Sequence, residues 1–344
     1  MDLGSLCGPG ISTTVADLGK YTASAVVTVT PHIGRNHATV PMPAKQLGMK
    51  AETLSEKGRG FYTEHLGAGR LSLIPRADEA KFSCLEGRLR RTIKQAEIYD
   101  GVIPMAAYPM LKERFFAIEQ DYQQARDDVV AKWDALVDEF KVGATDMLKG
   151  IRMPQRVRNK LFEEIVGGLP SKGGYQSSFY MRLKVTAFPG FAAPTGISPS
   201  IAADLEKSWQ DSVVSTALAA IETTIGRGFS LLGKAAKTYE THEKVMGKTL
   251  DAMARFSSDL AWKNVFQNPL LTSLGKKMKS IVDADRAEDK ATLVEEALVD
   301  IWAYSKEQNI TLDASATPFG EDGLDIMLRA RELAQANQMS IVFN

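Results

Sequence analysis

The chain has 344 residues, 44% hydrophobic and 24% charged, with Lys+Arg and Asp+Glu equal at 42 each. A compact fold of this length buries roughly three quarters of its unfolded surface, and the composition excludes a disordered chain and a globally basic nucleic-acid coat protein. Two cysteines, Cys7 and Cys84, exclude a disulfide scaffold and suit a reducing compartment.

The amino-terminal stretch has neither a basic n-region nor an apolar h-region, so no signal peptide is expected. The longest apolar stretch, 213–236, carries Glu222, Arg227 and Lys234 and does not read as a membrane span. The expected location is therefore the cytoplasm.

Residues 1–76 read as the least helical third. The segment 23–30 alternates Val27 and Val29 with Thr28 and Thr30, which predicts a strand ending at Pro31. Gly34, Arg35 and Asn36 can turn the chain into a second short strand over 37–40. Glycines at 48, 58, 60, 67 and 69 and Pro75 make 44–76 irregular, with short helical pieces.

A helical hairpin is predicted next. Phe82, Leu85, Leu89, Ile93, Ala96 and Tyr99 recur at helical spacing, and Asp100-Gly101 and Pro104 break the helix. Its partner carries an apolar ridge through Leu111, Phe115, Ile118, Tyr122, Ala125, Val129, Trp133, Leu136, Phe140, Ala144 and Met147. The spacing predicts one uninterrupted rod of about 40 residues, ~60 Å long at ~1.5 Å per residue. Against a radius of gyration of ~20 Å, such a rod projects as an arm or spans the molecule.

A shorter helix follows, with Pro154 in its first turn, Val157, Leu161 and Ile165 on its apolar face and Gly167-Gly168 at its end. Residues 178–188 alternate Phe179, Met181, Leu183, Val185 and Ala187 with Tyr180, Arg182, Lys184, Thr186 and Phe188. They predict a half-buried antiparallel strand paired with 23–30. Residues 189–199 read as a linker, giving two domains: 1–190, a small sheet plus the long hairpin, and 191–344, a helical region.

Beyond the linker, Ser198 and Pro199 mark a helix start, and Gly226 and Gly228 a kink or break. Further helices are centred on Leu250, Leu274, Leu298 and Leu328, and 340–343 reads as an edge strand. The fold class is mainly α: a long antiparallel hairpin, a small antiparallel sheet at its base and a C-terminal helical bundle.

No motif specifies chemistry. Gly247-Lys248-Thr249 ends like a phosphate loop, but the position of its first glycine is His242 and no strand precedes it. His32, His37, His65 and Cys84 match no zinc spacing. No catalytic residue, metal ligand or cofactor is assigned.

Charge is segregated. Residues 149–184 carry eight basic against two acidic residues, 227–279 ten against four, and 283–325 three against twelve. The candidate interaction surface is Lys149, Arg152, Arg156, Arg158, Lys160, Arg182, Lys184, Lys276, Lys277 and Lys279. Such blocks pair internally, meet a partner of opposite sign, or bind nucleic acid, and internal or partner pairing is the favoured reading. Tyr175, Phe179 and Tyr180 add aromatics on which a single strand can stack; otherwise Phe179 faces the core with the tyrosines flanking it.

The order of segments is distinctive: Val26–Arg35, a helical hairpin, Tyr108–Phe115 leading into Asp121-Tyr122, then Trp133–Phe140 and Tyr175–Arg182. It resembles an uncharacterised domain family of phages and large conjugative plasmids, over roughly residues 23–190. Members of that family tend to be encoded beside a MoxR/CobS-type AAA+ ATPase and a CobT-like von Willebrand factor A protein. The resemblance implies a non-enzymatic accessory or adaptor protein working with an AAA+ ATPase. It brings no active site to carry over. A nucleic-acid-binding accessory protein and a self-assembling structural protein are the alternatives.

Overall fold

A computed structural model describes residues 7–8, 14–41, 61, 65–67, 70–188, 196, 198–245 and 247–342. By compactness the chain groups into two units. Unit 1 comprises Met1–Thr28, Ala96–Tyr108 and Thr186–Asn344, and unit 2 comprises Val29–Gln95 and Pro109–Val185. Where the linear reading drew one boundary near 190, this grouping places two earlier stretches with the C-terminal helices.

The elements begin with α1 (Val15–Ala25), β1 (Val26–Gly34), β2 (Thr39–Pro41), β3 (Leu66–Gly67) and β4 (Arg70–Ser72). Next are α2 (Arg76–Ala96), β5 (Val102–Pro104), α3 (Tyr108–Ala131), α4 (Trp133–Lys149), α5 (Gln155–Gly167), α6 (Lys172–Ser177) and β6 (Tyr180–Ala187). The last are α7 (Pro199–His242), α8 (Gly247–Lys263), α9 (Pro269–Asp283), α10 (Ala287–Gln308) and α11 (Gly320–Val342). The protein is mainly α.

The hairpin lies in unit 2. Phe82 and Leu89 of α2 are buried, as are Leu111, Phe115, Ile118, Tyr122 and Val129 of α3. Phe82 meets Tyr122 edge-on at 5.6 Å, and Arg88 pairs with Asp121 at 3.0 Å, which sets α2 antiparallel to α3. The expected single rod is corrected at one residue. Lys132 (φ −93°, ψ 2°) separates α3 from α4, and its N–H donates to Val129 O in a tightened turn. No Gly or Pro marks the spot. The ridge nevertheless continues, with Trp133, Leu136, Phe140, Ala144 and Met147 buried. The turn sets Trp133 against Tyr175, their rings 4.7 Å apart.

Two small antiparallel sheets are present. One has the order β5-β1-β6, so the strands expected near 23–30 and 178–188 are neighbours, and the other has the order β2-β4-β3. Strand β1 starts three residues later than the pattern suggested, because 15–25 form α1, capped by the Thr14 side chain accepting from Asp17 N. Strand β5 arises from a tight turn. Asp100 and Gly101 both have positive φ, Val102 N–H donates to Tyr99 O at 2.6 Å, and Val27 pairs with Ile103. Gly173-Gly174 lies inside α6, which Ser171 caps by accepting from Gly174 N. Most of 42–64 and of 189–197, including the expected linker, lies outside the described residues.

Unit 1 is built on α7, 44 residues and roughly 66 Å long. Ser198 caps it and Pro199 opens it, as the sequence predicted. The sequence suggested a kink or break at Gly226 and Gly228; the helix runs through both without a break. A Cβ at Gly228 would lie 2.6 Å from Leu274 Cδ2, so this glycine permits close helix packing rather than a bend. Helix α7 packs against α1, α8 and α10, and α9 against α8 and α10. Phe229, Leu232, Met253, Leu274, Met278, Leu298 and Trp302 share that core. A second correction concerns the tail: 340–342 continue α11 instead of forming an edge strand. Phe188, expected on the outer face of its strand, is buried in the unit 1 core. Among the described residues no helix is long and apolar enough to cross a membrane.

Candidate functional site

The basic residues singled out from sequence divide between the units. In unit 2, Lys149 ends α4, Arg152 lies in the following bend, and Arg156, Arg158 and Lys160 are on α5. Lys149 and Arg158 line one recess of about 210 Å³ with Thr145, Gln155 and Asn159. Arg158 is spent on the chain itself. It donates from Nη1 to Gln155 Oε1 at 2.8 Å and from Nη2 to Ile151 O at 3.4 Å, so it clamps the α4–α5 corner.

Lys149 and Lys160 make only local pairs, to Asp146 at 3.2 Å and Glu164 at 3.9 Å. Exposed pairs of this kind contribute about 0–1 kcal/mol and leave both cations accessible to a partner. Arg152, Arg156, Arg182 and Lys184 are exposed and make no ion pair among the described residues. Arg182 and Lys184 lie two apart on β6, hence on one side of it. Val157 is exposed next to Arg156 on α5, and exposed Tyr180 shares the side of Arg182 and Lys184 on β6, while Val185 is exposed on the other side.

Of the aromatics in this block only Tyr180 is a surface group. Its ring crosses Gly34, where a Cβ would come within 2.3 Å, and Arg182 stands 5.9 Å from the ring centroid. Tyr175 is fully buried, and Phe179 packs against Phe82, Tyr122 and Tyr175 at 4.8 to 5.6 Å. The core placement of Phe179 therefore holds, and a three-ring stacking platform does not form.

In unit 1, Lys277 pairs with Asp300 at 2.6 Å, and Arg331 pairs with the same carboxylate. Here the basic run on α9 meets the acidic block on α10 within the fold. Lys276 and Lys279 are not ion-paired among the described residues.

Sequence reasoning missed the most distinctive polar cluster. In unit 2 the Arg35 side chain, only 4% exposed, donates from Nη1 to Glu79 Oε2 at 2.6 Å and from Nε to Glu86 Oε1 at 2.9 Å. Its guanidinium also stands 5.0 Å from the Phe82 ring centroid. Tyr122 Oη makes a long contact, 3.5 Å, to Glu86 Oε1. His37 Nδ1 is 3.5 Å from Glu79 Oε2.

Burial pushes the Tyr122 phenol above its ordinary range, and the Glu86 charge adds to this. Burial does the same to Tyr175. Arg35 is held charged by its two carboxylates, whose pull outweighs desolvation. The cluster fixes β1 to α2 and α2 to α3. Glu79 and Glu86, seven apart on a helix, were the available signal, since they share a face with Phe82.

His65 Nδ1 lies 2.7 Å from Ser72 O and its ring stacks on Phe61 at 4.6 Å. No group of three or more His, Cys, Asp or Glu side chains is placed to hold a metal among the described residues. Gly247-Lys248-Thr249 forms the first turn of α8. Fold and surface together define a class: a mainly α protein with a pinned helical hairpin and an unneutralised basic corner. Comparison with known protein families, with curated proteins and with solved structures finds no match.

Proposed function

We propose that this chain is a non-enzymatic accessory or adaptor protein that works in the cytoplasm with a MoxR-type AAA+ ATPase of a phage or plasmid system. The reading is that it docks an acidic protein partner through the basic corner of unit 2. One observation carries it: Arg152 and Arg156 are exposed and unneutralised among the described residues, with Val157 exposed beside Arg156 on α5. Mixed basic and apolar surface is the composition of a protein interface, where apolar contacts supply affinity and charges supply orientation and on-rate. The resemblance over 23–190 supplies the identity of the partner, with a von Willebrand factor A protein as a further one.

The nucleic-acid alternative is weakened by the full burial of Tyr175 and by the packing of half-buried Phe179 against Phe82, Tyr122 and Tyr175. The self-assembly alternative is weakened by the Lys277–Asp300–Arg331 pairing, which uses opposite charges within one copy.

Co-purification with the ATPase is the test, with turnover measured with and without the chain. Binding and a change in turnover or assembly are expected, and R152E/R156E is expected to weaken both. No change in either overturns the reading. A mobility shift on DNA or RNA at ~50 mM salt that disappears by ~200 mM returns the nucleic-acid alternative to first place.

A further inference from the structure

Unit 1 contains a cavity of about 220 Å³ between α7, α10 and the segment leading into α11. Its body is apolar, walled by Ala236 and Val245 on one side and by Ala291, Val294 and Phe319 on the other. Its polar groups are one phenol and two exposed carboxylates. Tyr239 and Glu240 line it from α7, and Glu295 lines it from α10. Neither glutamate forms an ion pair or hydrogen bond among the described residues.

The wall opposite α7 is fixed in place. A Cβ at Gly233 would lie 2.4 Å from Ala316 O, so the 3-10 turn at Ala314–Ala316 rests directly on the helix backbone. Lys237 Nζ donates to Ser315 O at 2.6 Å, and the Asp313 side chain accepts from Ser315 N. The cavity is thus preformed, and a ligand entering it need not order the wall.

We propose that this cavity binds a small organic cation: one aryl ring or branched alkyl body bearing an ammonium head. Size and charge both select that class. An apolar cavity of about 150 Å³ accepts benzene, so this one takes a ring and roughly two or three further heavy atoms. A neutral apolar ligand leaves the two carboxylates without a counter-charge, and an anion is repelled by them. A cation satisfies both, and the Tyr239 ring adds a surface on which ammonium groups are favoured. The surrounding segment 283–325 is acidic, twelve against three, although Asp300, Glu321 and Asp325 are paired within the fold with Lys277, Arg331 and Lys306. Of the cations near the lining in sequence, Lys237 is engaged with Ser315 O and Lys290 with the carbonyls of Ile281, Val282 and Ala284, while Lys234 and Lys244 are exposed.

Calorimetric titration of the full chain at low salt tests the proposal, with 2-phenylethylammonium, neutral 2-phenylethanol and anionic 3-phenylpropionate as probes. The ammonium probe is expected to bind roughly fivefold more tightly than the alcohol, as two partly solvated carboxylates provide, and the anion most weakly. E240Q/E295Q alters two exposed side chains and leaves the apolar wall intact. It is expected to bring the ammonium probe to the level of the alcohol. Ala291→Leu, with helicity checked by circular dichroism, is expected to weaken all three probes by narrowing the cavity. Equal affinity for the three probes overturns the proposal. So does ammonium binding that E240Q/E295Q leaves unchanged, or no saturable binding of any probe up to ~10 mM.

Discussion

Replacing Arg35 by Met keeps the bulk of the side chain and removes its charge from between Glu79 and Glu86. Removing one partner of a fully buried ion pair costs about 3–5 kcal/mol, because the other charge is left in a low-dielectric site. The two glutamates retain 24% and 18% side-chain exposure, so part of their hydration returns when the arginine is gone. The stack on Phe82 is also lost, worth about 0.5–1 kcal/mol. The net expectation is a loss of about 2–4 kcal/mol, confined to unit 2. Hydrogen exchange followed by mass spectrometry reads it locally. Peptides from α2 and α3 are expected to exchange about 30- to 700-fold faster, at tenfold per 1.4 kcal/mol. Peptides from α8 and α9 serve as the internal control. The triple variant R35M/E79Q/E86Q is expected to recover most of the protection, since no charge is then stranded. An R35M effect below about threefold would refute the argument that the cluster pins the hairpin.

Four further outcomes are expected. Tyr122 and Tyr175 have phenol pKa values raised by burial, so the fold favours their neutral forms. Their contribution is complete below the unfolded value of about 10 and is lost as pH rises beyond it, so stability falls on the alkaline side. Phenolate absorbance tracked against unfolding checks this, with Tyr122 and Tyr175 among the tyrosines that ionise late. Of the thiols, exposed Cys84 is expected to react rapidly with an aromatic disulfide reagent. Cys7, buried and raised in pKa by that burial, reacts only as unit 1 opens. Gly233→Ala forces the Ala316 carbonyl off α7 and is expected to cost about 1–3 kcal/mol in a urea titration. Asn268 is fully buried, caps α9 by accepting from Leu271 N, and donates to Tyr304 Oη at 2.8 Å. Its replacement by Ala is expected to cost about 2 kcal/mol, roughly 4–8 °C in Tm.

What the sequence revealed was whatever repeats at a fixed period. The Leu111–Met147 ridge was legible because every third or fourth residue must face one neighbour, and the Ser198-Pro199 start because capping chemistry is local. Lys132 was not legible, since one tightened turn needs no special residue. Helix α1 was not predicted, and it carries Gly19 near its middle. Its place is taken up by Trp209, whose ring would lie 2.1 Å from a Cβ there. Gly228 misled because close packing and a break look alike in sequence, whereas nothing lies within 4 Å of a Cβ at Gly226. Asp100-Gly101 carried a hairpin signal between Ile98-Tyr99 and Val102-Ile103 that was read only as a helix stop. The Arg35 cluster depends on which charged residues tertiary packing encloses, and no local pattern states that. Of the basic surface, sequence identified the residues, but not that Arg158 and Lys277 are consumed within the fold.

The composition of unit 1 from separated stretches has a kinetic side. Tyr21 Oη on α1 donates to Val265 O, across 244 residues of chain. At about 5–20 residues per second, a ribosome takes roughly 10–50 s to deliver that acceptor after the donor has emerged. During that interval α1 is an orphan amphipathic segment, while the residues of unit 2 have all been synthesised and can already close on one another. Birth order therefore runs against spatial order: the inserted stretch matures first, and the opening helix waits for the last third of the chain to receive it.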